Sequence, residues 1–314
     1  MHPAWSIILF TVLSGVACGL LAALGLTVLA HPDGTPGLRL TVLLFALSLL
    51  AAGLMASSFH LGRPERAWRA FSQWRSSWLS REGIAALLLF PSALALAGAI
   101  LWPDRLGWLG WLAGPLTAVT AVATVHCTAM IYASLKPIRQ WHTPLAIAGY
   151  HAMAWATGLS WLLALAHCFA VTAPALSAAG VAALAGAWAV KRRYWRRIDS
   201  LKAPSTPQTA IGLFAARTVS ALDPPHTEEN YLQREMGFAI ARRHAARLRA
   251  TAEVVGFALP IALLVFAFAV GGLLAAITGL VAALAASLGA LIERWLFFAE
   301  ATHTVTLYYG AQTV

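Results

Sequence analysis

Two residues that can exchange protons flank a basic, aromatic stretch of the chain. His60 opens the stretch HLGRPERAWRAFSQWRSSWLSRE and Glu82 closes it, each at the edge of a long apolar run. Histidine titrates near neutral pH, and a carboxyl group can act as a general acid or base. The residue types and their placement therefore predict proton-coupled chemistry at one edge of the apolar region.

Quinone chemistry requires such a set, because a quinone takes up protons together with electrons and needs hydrogen-bond partners and an aromatic-lined apolar slot. We therefore expect His60 and Glu82 to exchange the protons. Four neighbours are expected to line the quinone site or a docking surface: Arg63, Arg66, Trp68 and Arg81. The alternative is that His60 and Glu82 are interfacial side chains, each solvated or paired with an arginine.

His126 and His151 form a second candidate pair. Each lies well inside its own apolar run, and a rise of about 1.5 Å per residue places them at similar depths. Such a pair could ligate a b-type haem, or it could form a hydrogen bond between neighbouring helices. The three cysteines, Cys18, Cys127 and Cys168, are isolated in apolar runs, so we expect no iron–sulfur cluster, molybdenum or structural zinc in this chain.

The composition predicts an integral membrane protein. The chain is 60% hydrophobic and 11% charged, with a mean hydropathy of +0.72, whereas soluble domains carry roughly 25% charged residues. The net charge of +10 does not indicate nucleic-acid binding, because the basic residues lie between the apolar runs.

The apolar runs predict one all-α membrane domain, residues 1–314, with eight transmembrane helices and both termini on the same side. The predicted spans are residues 5–30, 40–59, 83–102, 108–135, 145–170, 174–190 and two within 254–291, turning near Gly271 and Gly272. The first run is long enough to span, so no cleavable signal peptide is expected.

The charge distribution predicts the orientation. Of the 22 Lys and Arg residues, all but Arg39 and Arg105 fall on the side of the termini. Basic residues accumulate in cytoplasmic loops, so the termini and the basic loop 60–82 are expected to be cytoplasmic. The protein would then lie in a bacterial cytoplasmic (inner) membrane.

Residues 191–250 are expected to form a polar cytoplasmic insertion between spans six and seven. Its second half predicts a helix capped by Thr227. That helix could lie on anionic lipid or serve as a docking arm for a soluble partner. The aromatic tail after Leu291 is typical of an interfacial belt. No charged residue is expected near the middle of a span, which disfavours a transporter.

The segments HLGRPERAW and SSWLSRE resemble the quinone-site region of the membrane-anchor subunits of dimethyl sulfoxide reductase-type molybdoenzymes. The resemblance covers essentially the whole chain and implies that His60 and Glu82 bind quinol, with Arg66 matching the family's arginine. It also implies a complex of three subunits, in which an iron–sulfur subunit docks over the His60 loop and a molybdopterin subunit lies beyond it. Anchors of this family are haem-free, so haem is not expected.

YASLKPIRQWHTP and PPHTEENYLQREMGFAIARRHA are also similar to the anchors of cytoplasmic sulfite dehydrogenases. With the predicted orientation, this favours an anchor that passes electrons from cytoplasmic sulfite oxidation to ubiquinone or menaquinone. Two alternatives remain: a quinol-oxidising anchor of a dimethyl sulfoxide or related reductase, and a membrane transporter.

Overall fold

The computed structural model describes residues 4–30, 35–59, 63–201, 205–213, 219, 222–223 and 240–309. Within those ranges the chain is helical and contains no strand, which confirms the all-α prediction. The α-helices, numbered here in chain order, are α1 Trp5–Ala30, α2 Pro36–Ser58, α3 Trp78–Leu101, α4 Pro103–Ala133, α5 Pro144–Cys168, α6 Pro174–Asp199, α7 Pro207–Ala210, α8 Ile240–Glu253, α9 Leu259–Val270 and α10 Gly272–Ala299. Two 3₁₀ helices, Pro64–Gln73 and Thr304–Leu307, complete the set.

Seven helices in the described part of the chain are long and apolar enough to cross a membrane. One of them runs from His244 to Val270 and includes most of α8 together with α9. Outside the seven, α5 has 25 residues and packs against α1, α4, α6 and α10. The chain is a multi-pass membrane protein; the count of eight spans and the cytoplasmic termini stay predictions.

Prolines and short polar side chains set where the helices begin. Proline occupies the first turn of α2, α4, α5 and α6, where its missing N–H costs no hydrogen bond. The Ser77 hydroxyl accepts a hydrogen bond from the Ser80 N–H and caps α3, and Thr143 caps α5 through the Leu145 N–H.

A π-helical turn, Val254–Ala258, joins α8 to α9. It immediately precedes Pro260, which has no N–H to donate to the preceding turn. The same turn brings Gly256 against α10, where a Cβ on Gly256 would lie 3.1 Å from the Cα of Gly289. The glycine pair therefore allows two backbones to meet.

Helix α1 is the centre of the bundle and contacts α2, α4, α5 and α10. In its most apolar 18-residue segment, 78% is buried inside the bundle, against 28% of the corresponding segment of α2. Glycines permit this packing: a Cβ on Gly158 of α5 would lie 2.7 Å from the Cα of Gly19 of α1. One end of the bundle holds the start of α1, the α2–α3 connection, the α4–α5 connection and the end of α10. We call it the Glu82 end.

Several helices extend beyond the predicted spans: α2 and α4 begin earlier, at Pro36 and Pro103. Helix α3 begins at Trp78, so Glu82 lies inside it; α6 continues through Asp199, and α10 continues through Ala299. The interpretation of the tail as an interfacial belt is wrong for its first part, because Phe297 and Phe298 are buried against Tyr132 and Trp141. Within the insertion, the helix Ile240–Glu253 is described, whereas the Thr227 cap lies outside the described residues.

Candidate functional site

Glu82 is the central residue of the candidate site. It lies in the first turns of α3, which packs against α4. Only 4% of its surface is exposed, although it is close to the end of its helix. A carboxyl group buried to this extent requires hydrogen-bond partners.

The hydroxyl of Thr128, on α4, is in hydrogen-bond contact with Oε1 of Glu82. The same hydroxyl lies 3.0 Å from the carbonyl oxygen of Thr124. An ionised Glu82 can therefore accept a hydrogen bond from the Thr128 hydroxyl. A protonated Glu82 can instead donate to the Thr128 oxygen, and Thr128 then donates to Thr124. The arrangement satisfies both protonation states of Glu82 without moving a heavy atom.

No ion pair joins Glu82 to any residue that the structure describes, and its hydrogen bond to Thr128 involves one oxygen only. No hydrogen bond from a described residue reaches the second oxygen, Oε2. Glu82 thus combines burial with a second carboxyl oxygen that takes no hydrogen bond from the described residues. Its predicted partner His60 lies outside the described residues, so the proposed pairing stays a prediction.

The other predicted loop residues lie further out. Arg63, Arg66 and Trp68 are exposed, on or beside the 3₁₀ helix Pro64–Gln73. Arg66 lies 3.8 Å from Glu65 in an exposed ion pair, which contributes little stability. None of the three contacts Glu82, so the structure places them on a basic, aromatic surface above it.

Arg81 organises the turn that leads into α3. Its Nε donates to the carbonyl of Trp74 at 2.8 Å and its guanidinium donates to that of Arg75 at 2.6 Å. The guanidinium also lies 4.2 Å from the ring centroid of Trp78, a cation–π distance. Arg81 therefore positions the start of α3, one residue before Glu82.

Gly83 lets the 3₁₀ helix dock on α3. A Cβ at Gly83 would lie 2.9 Å from Cε1 of Phe71, closer than carbon atoms pack. The Ser80 hydroxyl adds a hydrogen bond to the carbonyl of Ala70. The contacts of Ser80 and Gly83, which precede and follow Glu82 in sequence, thus hold the exposed loop against the start of α3.

His126 and His151 do face each other, as their depths predict. Nδ1 of His126 lies 3.4 Å from Nε2 of His151, and the ring centroids are 5.7 Å apart. Because the nitrogens are within hydrogen-bond distance, this geometry favours the interhelical hydrogen bond over an iron between the rings. No group of three or more His, Cys, Asp and Glu side chains in the described ranges could hold a metal ion.

A small cavity lies beside the Glu82–Thr128 contact. It offers about 20 Å³ to the centres of water molecules, enough for one water. Its walls come from α1, α4, α5 and α10 and include Ser14, Cys18, Thr128, Tyr150 and Arg294. Polar and apolar walls therefore meet at the centre of the Glu82 end.

A buried charge cluster on the far side of this cavity was missed by the sequence reasoning. Lys191 of α6 pairs with Glu293 of α10, and both are almost fully buried. Arg294 lies 3.4 Å from Glu293 and stacks 3.7 Å from the ring centroid of Tyr150. From the sequence, Lys191 was placed in the polar insertion and Glu293 and Arg294 in the interfacial tail, because each follows the end of an apolar run. For Thr128 a weak signal existed: Thr124 and Thr128 are spaced for one face of a helix.

Comparisons with known proteins agree with this architecture. The family model described as DMSO reductase anchor subunit (DmsC) matches residues 1–310. A sulfite dehydrogenase subunit of Allochromatium vinosum is 36% identical over 337 aligned positions, which cover 98% of this chain and 99% of the relative. The match extends over the helices that build the Glu82 end, from α1 to α10. The chain therefore belongs to the DMSO reductase anchor subunit family and is the membrane anchor of an oxidoreductase complex.

Proposed function

We propose that this anchor is quinone-reactive and that Glu82 exchanges protons with the quinone. The observation that carries the proposal is the buried carboxyl group whose partner, Thr128, can serve both of its protonation states. A bound quinone would supply two-electron, two-proton redox chemistry. Oε2 of Glu82 is the oxygen available to meet a quinone oxygen, and His60 is the proposed second contact.

The types of side chain around Glu82 support the proposal. Trp78 lies one turn before Glu82 on α3. Its ring lies against the Arg81 guanidinium and makes an edge-to-face pair with the His126 ring, with centroids 6.1 Å apart. These groups supply an aromatic wall beside a carboxyl group. In this proposal Arg81 and Trp78 fix the position of the site, and Glu82 holds or releases the proton.

The exposed loop above Glu82 supports an iron–sulfur partner on this face. Trp68 and Trp74 are 66% and 51% exposed, and Arg69 and Arg75 stack beside them at 5.5 and 5.4 Å. Exposed tryptophan and arginine are enriched in protein interfaces. We therefore assign docking of an iron–sulfur subunit to this surface, with a molybdopterin subunit beyond it.

Sulfite oxidation in the cytoplasm is the reaction we propose for the complex, with electrons flowing from the partner subunits to ubiquinone or menaquinone. The support is the identity to a sulfite dehydrogenase subunit over almost the entire length of both chains, together with the charge bias toward the Glu82 end. The family description favours a second candidate, a quinol-oxidising anchor of a DMSO reductase.

The test uses the complete complex with Glu82→Gln. Glutamine keeps the shape and can still accept from Thr128, but it cannot exchange a proton. Quinone-linked turnover with sulfite should fall roughly 100-fold, while turnover with a soluble electron acceptor that draws on the partner subunits should persist. Glu65→Gln is the matched control, because Glu65 is exposed on the same loop. Full quinone-linked turnover in Glu82→Gln would remove the proposed role of Glu82.

Turnover also discriminates the two candidate reactions. Sulfite-dependent reduction of a quinone by the purified complex supports the dehydrogenase. Quinol-dependent reduction of dimethyl sulfoxide without sulfite oxidation supports the reductase instead.

A further inference from the structure

A series of buried polar groups, which we call the polar connection, runs from the cavity beside Thr128 to the exposed end of α6. At the outer end, Asp199 is exposed and pairs with Arg249 at 2.7 Å, and Arg249 also pairs with the mostly buried Glu300 at 2.8 Å. Glu300 is the C-cap of α10 and lies about two turns beyond Glu293 on the same side of the helix. The charge of Lys191 acts on both carboxyl groups. The carboxyl groups of Asp199, Glu300 and Glu293 thus lie in that order from the exposed end of α6 towards the interior of the bundle.

At the inner end, the connection reaches the cavity through Tyr150. Its hydroxyl is buried and has no hydrogen-bond partner among the described residues, and Tyr150, Arg294 and Thr128 all line the cavity. One water molecule fits there and could bond both to the Tyr150 hydroxyl and to Thr128, the partner of Glu82. Oε2 of Glu293 is also buried; it lies 3.4 Å from the Arg294 guanidinium in an ion pair and takes no hydrogen bond from the described part of the chain.

Packing alone does not explain this arrangement. A buried ion pair contributes little net stability, since apolar residues of similar volume often serve as well. Here the cations Lys191, Arg294 and Arg249 pair with the carboxylates of Glu293, Glu300 and Asp199. The series ends at Arg294, which shares the cavity wall with Thr128, the partner of Glu82. The cations hold the carboxylates in position, while the tyrosine hydroxyl is left to face the cavity.

We propose that Glu300, Glu293, Tyr150, the cavity water and Thr128 form an internal proton route between the aqueous phase and Glu82, with Lys191, Arg294 and Arg249 as positioning residues. The inference rests on the proposed function, in which Glu82 exchanges protons with a quinone. Reduction of one quinone consumes two electrons from the partner subunits and two protons. Each proton that leaves Glu82 is replaced by one that enters at the Asp199–Glu300 end, so the internal groups end unchanged. In quinol oxidation the protons travel outward.

Two variants interrupt the route without removing a charge. Tyr150→Phe keeps the ring and its stacking with Arg294 and removes only the hydroxyl. Gly15→Ala adds a methyl group on α1 where no described atom lies within 4 Å of the new Cβ, and Gly15 lines the cavity. That methyl group takes the space of the water. Thr117→Val is the matched control. The Thr117 hydroxyl is also buried and without a hydrogen-bond partner in the described ranges, but it lies about three helical turns from Thr128 along α4.

The experiment measures quinone-linked turnover of the complete complex in H₂O and D₂O, with a water-soluble quinone analogue as the acceptor. Tyr150→Phe and Gly15→Ala should lower this turnover several-fold and raise the H₂O/D₂O rate ratio, because proton delivery becomes slower than electron delivery. Turnover with a soluble electron acceptor should be unchanged, and Thr117→Val should match the wild type in every assay.

Two results would overturn the route, and they differ in what they say about Glu82. If both cavity variants keep wild-type turnover and H₂O/D₂O ratio while Glu82→Gln is inactive, the route is wrong and the quinone role of Glu82 survives. If Glu82→Gln is itself fully active, the proposed function fails and the route fails with it. Should Tyr150→Phe not assemble, Gly15→Ala alone decides between these outcomes.

Discussion

The contact between α1 and α5 provides a stability prediction whose magnitude follows from the geometry. Replacing Gly19 by alanine places a Cβ in overlap with the carbonyl oxygen of Ala154 and 2.5 Å from its carbonyl carbon. Carbon atoms pack at about 3.5–4.0 Å, so the two helices must separate by about 1 Å. The obstacle is backbone, which cannot rotate away as a side chain can.

Overpacking of this kind costs roughly 1–3 kcal/mol, and the gain in helix propensity from glycine to alanine recovers at most about 1 kcal/mol. We therefore expect Gly19→Ala to lower the free energy of unfolding by about 2 kcal/mol. Gly186→Ala is the control, because Gly186 lies in α6 and its new Cβ meets no described atom within 4 Å. That variant should be neutral or slightly stabilising.

The assay is the thermal midpoint of the detergent-solubilised complex, measured for both variants under identical conditions. Gly19→Ala should lose several degrees and Gly186→Ala none. Equal midpoints for the two variants would refute the close approach of α1 and α5, and with it the arrangement of Cys18 and Tyr150 around the cavity.

Three further predictions concern charge and orientation. Glu293→Gln removes the carboxylate that faces the buried Lys191 and Arg294, so it should lower the free energy of unfolding by about 3–5 kcal/mol. Lys191→Met should cost less, because it keeps the Glu293–Arg294 pair. Equal thermal midpoints for the two variants would contradict this ordering. Burial lowers the pKa of His303, and its Nδ1 accepts a hydrogen bond from the Val305 N–H at 3.0 Å. This contact stabilises the C-terminal turn above the unfolded histidine pKa of about 6.5 and is lost as the pH falls through the lower folded value. The protection of the Val305 amide against hydrogen exchange, relative to the intrinsic exchange rate at the same pH, should therefore fall on acidification, unless His303 is replaced. A cysteine at Gln73 should react with a membrane-impermeant maleimide only from the cytoplasmic side, and one at the exposed position Arg105, in the first turn of α4, only from the other side; the reverse pattern would invert the orientation.

The sequence by itself determined the class of the protein and the ends of several helices. Apolar runs of sufficient length form helices because a bilayer offers no hydrogen bonds to the backbone, and prolines such as Pro144 and Pro174 mark where helices begin. The motifs around His60 and Glu82 also predicted the family, which the comparisons confirm. These features are local, or are carried by short motifs, and so they can be recognised from a single sequence.

Only the tertiary structure decided what surrounds Glu82. Its partner Thr128 is 46 residues away, and no local pattern pairs the two. Lys191 was assigned to the polar insertion and Glu293 to the interfacial tail, because the hydropathy of a sequence segment counts each charge alone. In the folded chain the two charges neutralise each other, and α6 and α10 can therefore continue past their apolar runs with both residues buried. Burial of a charge depends on a partner that is distant in sequence, and for that reason the polar connection to Glu82 exists only in the folded bundle.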